Sequence, residues 1–456
     1  MTSPSFADLH LEKRFLETLE QLKFSTPTPI QLQAIPPALD GKDLIARAST
    51  GSGKTAVFAL TLLTRLNPQF FGVQALVLCP TRELAEQVAQ EIRRLGRAQS
   101  NLKVVTLCGG VPSRSQTATL GHGAHVVVGT PGRIQDHLRR GNLVLNGLRT
   151  LVFDEADRML DMGFYDDMEA ITARCPQNRQ TLLFSATYPA RIEAMAAPFL
   201  KNPVMVAASE TPPLIEQHFC EVTNETRLEA LALLLGEFQP ETALIFVNTK
   251  VQARAAVGFL LAKGFSVLEL SGDLEQKERD EAMALFSGRC VRAIVATDVA
   301  SRGLDVSSLD MVINFDISPD PEVHVHRIGR TGRAGKTGLA YSLVSEHEKP
   351  LVRRLAAGLT TGEISWVPLP PAGLKTGTPP PFVMFKLSDG RKEKIRPGDV
   401  LGALTADAGF KRDQIGLIRI GDYGTWIAGD RLAADRLEQA LASTPIKGKI
   451  RRFVRI

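Results

Sequence analysis

Three carboxylates stand close together behind an apolar run: Leu151-Val152-Phe153 leads straight into Asp154-Glu155-Ala156-Asp157. An apolar run ending in acids reads as a buried parallel strand. Its acidic tip then lies at the carboxyl edge of a sheet, where α/β proteins hold their ligands. Alone, the same residues also fit a strand entering a surface turn. Upstream, Ala48-Ser49-Thr50-Gly51-Ser52-Gly53-Lys54-Thr55 supplies a partner chemistry. Gly51 and Gly53 allow positive φ and close approach of backbone N–H groups to phosphate oxygens. Lys54 brings a point charge to β- and γ-phosphates, and the Thr55 hydroxyl suits Mg²⁺. The apolar stretch Asp43–Ala48 precedes this loop and a helical pattern follows to about Arg65, its positive dipole end facing the anion. A phosphate cradle and an acid-tipped strand together form the pair that holds a magnesium nucleotide.

Other residues add to that pair. The Gln31 amide carries a donor and an acceptor, which suits an adenine edge, and Phe24 is placed to stack on a base. A proline-rich helix boundary, Ser25 to Gln31, accounts for the same residues. Ser185 and Thr187, in Ser185-Ala186-Thr187 at another strand end, offer hydroxyls to Asp157, or a plain N-cap. In His324-Val325-His326-Arg327-Ile328-Gly329-Arg330-Thr331-Gly332-Arg333, arginines recur every three residues. Clustered guanidiniums suit the charge developing on a γ-phosphate; a solvated basic turn is the plain alternative.

These residues need elements to hold them. Ala75–Cys79, Val104–Leu107, Val126–Val128 and Thr181–Phe184 are further short apolar strands, each leaving into a polar or glycine turn and then a helix. Repeated strand–turn–helix units predict a doubly wound parallel sheet with all such turns on one edge. The turns at Pro80-Thr81-Arg82, Gly109-Gly110 and Thr130-Pro131-Gly132-Arg133 could together follow a sugar–phosphate backbone without reading bases. Residues 6–24 read as one amphipathic helix closing on Phe24. A proline-containing polar stretch at 207–217 reads as a linker. Beyond it the pattern repeats at Ala243–Val247, Val267–Leu270, Ala293–Ala296 and Met311–Phe315, without a second phosphate loop, as in a duplicated fold with one cofactor site.

The 456 residues are too many for one core. No window approaches a transmembrane span, and Met1 to Leu11 shows no signal peptide. Five scattered cysteines read as reduced, core-packing thiols. Between Phe382 and Ile456 there are 15 Lys and Arg against 9 Asp and Glu, which leaves 39 against 40 in residues 1–381. The basic excess belongs to the C-terminal part and points to an acidic partner, with nucleic acid first.

That part follows a second linker, Thr360 to Pro381, rich in Pro, Gly and Thr. Its pattern is strand Val383–Leu387, helix Pro397–Ala408, strands Ile415–Ile420 and Thr425–Ala428, helix Leu432–Ala442 and strand Ile450–Ile456. This βαββαβ order is that of an RRM-like module. The usual stacking aromatics are absent or displaced, so Lys447, Lys449, Arg451, Arg452 and Arg455 form a candidate phosphate-binding stripe instead.

The whole set resembles the DEAD-box ATP-dependent RNA helicases over residues about 6–357. The resemblance rests on the Q motif ending at Gln31, the ASTGSGKT loop, PTRELA, the glycine pair, TPGR, Asp154 to Asp157, SAT, ATDVASRGLD and HRIGRTGR, in order. It implies an α/β chain of two RecA-like doubly wound parallel-sheet domains plus a C-terminal α+β RRM-like domain. The implied division is 1–206, linker 207–217, 218–358, linker 359–381 and 382–456. Two positions depart from the family's habit: Lys23 stands where glycine usually precedes the Q-motif aromatic, and Ser271 where histidine often precedes Gly-Asp.

Roles implied by the resemblance follow residue by residue. Phe24 and Gln31 would bind adenine; Ser49, Thr50, Gly51, Ser52, Gly53 and Lys54 would cradle phosphates; Thr55 and Asp154 would hold Mg²⁺. Glu155 would activate the attacking water, and Asp305 would meet the ribose. Arg330 and Arg333 would be arginine fingers. Asp157, Ser185 and Thr187 would couple hydrolysis to RNA, which Arg82, Gly110, Thr130, Arg133, Thr249, Gly272, Gln276 and Thr297 would grip. The implied activity is ATP-driven local unwinding of RNA. The tail resembles a bacterial branch that recognises a hairpin of large-subunit (23S) ribosomal RNA during ribosome assembly. A cytoplasmic monomer using ATP and Mg²⁺ is expected. An ATP-gated RNA clamp would use the same motifs.

Overall fold

The computed structural model describes residues 4–48, 51–186, 190–207, 215–301, 309–332, 337–358, 365–371, 373, 376–421 and 424–456. The chain forms two compact units, one built on an N-terminal seven-stranded sheet, the other carrying a second seven-stranded sheet and a small four-stranded one.

The first sheet comprises β1 (Leu44–Arg47), β2 (Ala75–Leu78), β3 (Val104–Leu107), β4 (Val126–Gly129), β5 (Thr150–Phe153), β6 (Gln180–Ser185) and β7 (Val204–Ala207). Its order is β3-β4-β2-β5-β6-β1-β7 and every pairing is parallel. Central strands such as β2, β4, β5 and β6 are buried along their whole length, because helices cover both faces and leave no position for a polar side chain in water. Two apolar layers result, one around Phe58, Leu60, Val77 and Phe184, the other around Leu76, Val127, Phe153 and Met168.

The second unit repeats the plan with β8 (Ile215–Glu221), β9 (Ala243–Val247), β10 (Val267–Leu270), β11 (Ala293–Thr297), β12 (Met311–Asn314), β13 (Gly338–Val344) and β14 (Ser365–Trp366). The order is β10-β11-β9-β12-β13-β8-β14, again all parallel. The small sheet comprises β15 (Phe382–Leu387), β16 (Ile415–Ile420), β17 (Thr425–Asp430) and β18 (Phe453–Arg455), antiparallel in the order β16-β17-β15-β18. Val383, Phe385, Leu387 and Ile427 pack on Val400, Leu404, Leu437 and Leu441 of its helices. The sequence-based fold class therefore holds. Among the described residues no helix is long and apolar enough to cross a membrane.

Several expected boundaries move. The single helix over 6–24 is two pieces: a 3₁₀ turn Phe6–Leu9 capped by Ser5, and a helix Lys13–Gln21, separated because His10 takes a left-handed backbone of φ 55°. The expected linker 207–217 already contains the start of β8. Of the expected linker 359–381, Ser365–Trp366 joins the second sheet in register with His218–Phe219. In the tail, the helix from Pro397 ends at Gly402 and widens into a π turn over Ala403–Asp407. Its second helix starts at Ala434, and β18 covers only Phe453–Arg455.

Candidate functional site

Topology brings three strand ends together in the first unit. β6 lies between β5 and β1, with Leu183 in register with Phe153, and Ser185 with Arg47. The acids after β5, the Ser185-Ala186 end of β6 and the loop after β1 thus share one stretch of the carboxyl edge. This is where a doubly wound sheet binds ligands.

Gly51 and Gly53 adopt φ 91° and 93°, the left-handed region that a phosphate-cradling turn requires. Lys54 opens the helix Lys54–Arg65, is buried, and donates from Nζ to the Ala48 carbonyl at 2.6 Å. The ammonium is thereby held across the mouth of the loop. The Gln31 amide is committed to the same loop: Nε2 donates to the Gly53 carbonyl at 3.2 Å, and Oε1 accepts from the Thr28 N–H at 2.9 Å. The Thr28 hydroxyl donates to the Ser52 carbonyl at 2.8 Å. The proline-rich segment is therefore a brace for the phosphate loop. The Thr-x-x-Gln capping box was the available signal for it. Phe24 is half-buried, with Arg94 5.5 Å from its ring and Phe6 edge-on at 6.4 Å. Lys23 before it has φ 61°, a backbone glycine adopts without strain.

The acids differ in environment. Asp154 is buried, and its carboxyl is pushed up to about 7 by burial and then by Glu155, against the opposing charge of Lys54. Burial and the Asp154 charge push the neighbouring Cys79 thiol well above its ordinary range. Glu155 has φ 52°, strain of a kind that persists where the surroundings hold it, and its carboxylate accepts from Arg158 Nη1 at 2.8 Å. Asp157 accepts from the Ala186 N–H at 3.0 Å and from the Arg158 N–H at 3.0 Å, which ties the third acid to the end of β6. Ser185 is fully buried beside it. Asp154 fits a divalent cation chemically: a buried carboxylate made costly as an anion is the group such a cation relieves, with Thr55 as a neutral oxygen donor and phosphate supplying the rest.

Farther along the same edge, Arg82 starts the helix Arg82–Leu95 and pairs with Glu86 at 3.0 Å. Gly110 has φ 73°. Thr130 precedes the helix Pro131–Arg139, and Arg133 Nη1 donates to the Val111 carbonyl at 2.9 Å and to Gln116 Oε1 at 3.0 Å. Gln116 Nε2 in turn donates to the Cys108 carbonyl at 2.8 Å. Gln116, which no motif announced, holds Arg133 to the glycine turn.

In the second unit, Thr249 caps the helix Lys250–Ala262 and donates to Gln252 Oε1 at 2.8 Å. Gly272 precedes, and Gln276 begins, the helix Gln276–Ser287; Gln276 donates to Asp280 at 3.0 Å. Thr297 ends β11. Arg330 is buried at the end of the turn after Pro321–Ile328. Arg327 does not join it as an anion ligand. Its guanidinium is buried and donates to both Asp298 oxygens at 2.7 Å, to the Asp316 carbonyl at 2.6 Å and to Asn248 Oδ1 at 3.0 Å. The three-residue arginine spacing therefore mixes an architectural arginine with the others. Asp316 continues the network to Gln252 at 2.9 Å and to Arg227 at 2.8 Å.

The tail's basic stripe is also divided. Lys449 and Arg452 are exposed, whereas Lys447 donates to the Lys394 carbonyl at 2.6 Å. Arg451 is largely buried and paired with Asp389, and Arg455 is held by Asp435 at 2.7 Å and Glu438 at 3.1 Å. Arg451 is thus a folding contact, a correction to its place in the stripe. Ser49, Thr50, Thr187, Asp305 and Arg333 lie outside the described residues.

Residues 28–195 match the model of the DEAD/DEAH box helicases, 226–335 that of the helicase conserved C-terminal domain, and 384–454 that of the DbpA RNA binding domain. The ATP-dependent RNA helicase DbpA of Escherichia coli is 45% identical over 437 residues, 95% of each chain. The DEAD-box ATP-dependent RNA helicase CshA of Bacillus subtilis is 42% identical over 354 residues, 77% of this chain and 72% of that one. Among solved structures, S. cerevisiae Dbp5 bound to RNA and ADP BeF3 superposes with a TM-score of 0.73 at 31% identity, covering 80% of this chain and 96% of the other.

Proposed function

The chain belongs to the DEAD-box ATP-dependent RNA helicases, RNA-dependent ATPases, and from that premise we propose that it locally unwinds 23S ribosomal RNA in large-subunit precursors. The observation that carries the targeting is residues 384–454, a DbpA-type RNA binding domain behind a helicase core, in a chain similar to E. coli DbpA from end to end. The reading uses domains 1–206, 218–358 and 382–456, with the second drawn back to Ile215 and extended to include Ser365–Trp366. It takes the protein as a cytoplasmic monomer.

In this reading Phe24 stacks on adenine, Gln31 meets its edge with the second Nε2 hydrogen and the second Oε1 lone pair that Gly53 and Thr28 leave open, and Asp305 meets the ribose. The loop from Ser49 to Thr55 holds the phosphates, with Lys54 released from the Ala48 carbonyl to reach them. Mg²⁺ held by Asp154 and Thr55 would neutralise phosphate charge. Glu155 orients and deprotonates the attacking water, and Arg330 and Arg333 stabilise charge on the transferred phosphoryl group. Asp157, Ser185 and Thr187 relay nucleotide state along β6. Arg82, Gly110, Thr130 and Arg133 in one domain, and Thr249, Gly272, Gln276 and Thr297 in the other, contact the RNA backbone. Lys447, Lys449 and Arg452 contact RNA from the tail.

The test compares ATPase activity and short-strand displacement on 23S ribosomal RNA fragments and on unrelated RNA. Selective stimulation with strand release is expected. Equal stimulation by all RNAs would overturn the targeting, and hydrolysis without strand release would leave a clamp.

A further inference from the structure

RRM-like modules ordinarily offer the helix-free face of their sheet to single-stranded RNA. In this chain that face is covered. Cross-strand register places Met384 beside Ala428 and Lys386 beside Trp426 on the face opposite the module's own core. Met384 and Ala428 are fully buried, and Trp426 is 8% exposed. They pack against Ala284 and Cys290 of the second RecA-like domain, with Leu285 at the margin. Ala284 belongs to the helix Gln276–Ser287, and Gly288 ends that helix where a Cβ would come within 2.8 Å of Met384 Cε. The glycine therefore permits the close approach. Lys386 pairs with Glu281 of the same helix while lying 5.7 Å from the Trp426 ring. The incoming chain is held too: Arg292 donates to the Pro379 carbonyl at 3.1 Å and to the Pro240 carbonyl at 3.0 Å.

Apolar burial, a charge pair and a pinned connection thus act on one surface. We propose that the sheet face of the tail is an intramolecular dock for the helix Gln276–Ser287, not a platform for RNA. The second RecA-like domain and the tail then move as one body, and RNA is taken by tail surfaces other than this face. The helix serves as a strut. Its first residue, Gln276, stands at the RNA edge assigned above and its last turn lies under the tail, so RNA held by the tail keeps a constant offset from that edge. The proposal deepens the reading of the tail as the RNA-targeting module and rests on it for the identity of the ligand. The dock itself can be tested without RNA.

Trp366 and Trp426 are the two tryptophans of the chain, so Trp366→Phe leaves Trp426 as the sole indole reporter. In the full-length Trp366→Phe protein, blue-shifted Trp426 emission resistant to acrylamide is expected. Acrylamide-accessible emission would overturn the dock, whatever the RNA preference. Adding Ala284→Glu, which leaves the tail's sequence intact, should red-shift the emission and raise the quenching constant several-fold, with ATPase on unstructured RNA retained as the folding control. Unchanged emission would count against the dock. Titrating the Trp366→Phe protein with a 23S ribosomal RNA hairpin and with oligoadenylate should leave Trp426 emission constant. Strong quenching by either RNA would show that bases stack there, and would overturn the assignment.

Discussion

Glu155 combines a left-handed backbone with a carboxylate aimed by Arg158. Glu155→Gln keeps the side chain's size and can still accept a hydrogen bond from Arg158, while removing the carboxylate proposed as the base. ATP and RNA binding should persist and kcat should fall by about 10²–10⁴-fold, the usual worth of a positioned general base. Retained turnover in a coupled ATPase assay would refute the role. Lys23 makes the opposite kind of prediction. Its φ of 61° favours glycine, so Lys23→Gly should stabilise the first domain by up to about 1 kcal/mol, read as a higher Tm. A lowered Tm would mean that contacts of the lysine outweigh its backbone strain. At this scale the phosphate loop and the acids were legible, because their chemistry is written in consecutive residues. Gln116, Asp298 and Asp316 were not, because each acquires its purpose from a distant partner. Arg133 meets Gln116, and Asp316 joins Arg227 to Gln252 and Asn248.

Strands were legible where both faces are buried and the apolar run is unbroken. The uninterrupted apolar runs of β2, β4, β5, β9 and β12 follow from helices on both sides. Four strands were missed, for different reasons. β7 lies at a sheet edge with Met205 exposed, β8 mixes polar and apolar residues, β14 has two residues, and β13, though buried nearly throughout, has its apolar run broken by Gly338 and Ser342. The helix Pro321–Ile328 carries a pH-dependent prediction. His324 is buried on Phe219, its Nε2 3.4 Å from Gln217 Oε1. Burial, then the Arg327 charge, lower its pKa from 6.5 to about 4. The unfolded chain therefore binds the extra proton between those values, so stability is complete above about pH 6.5 and lost as pH falls toward 4. His324→Gln should reduce the loss of stability between pH 7 and 5 by about 2 kcal/mol. Denaturant melts at both pH values measure this, and an unchanged loss would place the titration elsewhere.

At the scale of the whole molecule, the tail matches an RNA-binding domain and also packs over apolar residues of the second RecA-like domain. Deleting residues 382–456 should abolish preference for ribosomal RNA while RNA-dependent ATPase activity continues. It should also uncover Ala284, Leu285 and Cys290, which pack on the tail's sheet, and so reduce solubility. Preference that survives the deletion, in competition binding against unrelated RNA, would assign the reading of RNA to the helicase core.

The two residues of β14 reach further than their length. β8 is the last long strand on its side of the second sheet, and Ser365–Trp366 supplies its outer pairing, continued by the Val367 N–H to the Phe219 carbonyl at 3.0 Å. A chain cut at residue 358, the domain boundary the sequence suggested, would present a row of unmet amides and carbonyls beside Phe219. Such an edge recruits strands from other molecules. The same domain ended at residue 371 would carry its own guard rail, and would remain monomeric where the shorter one associates into fibrils or swapped dimers.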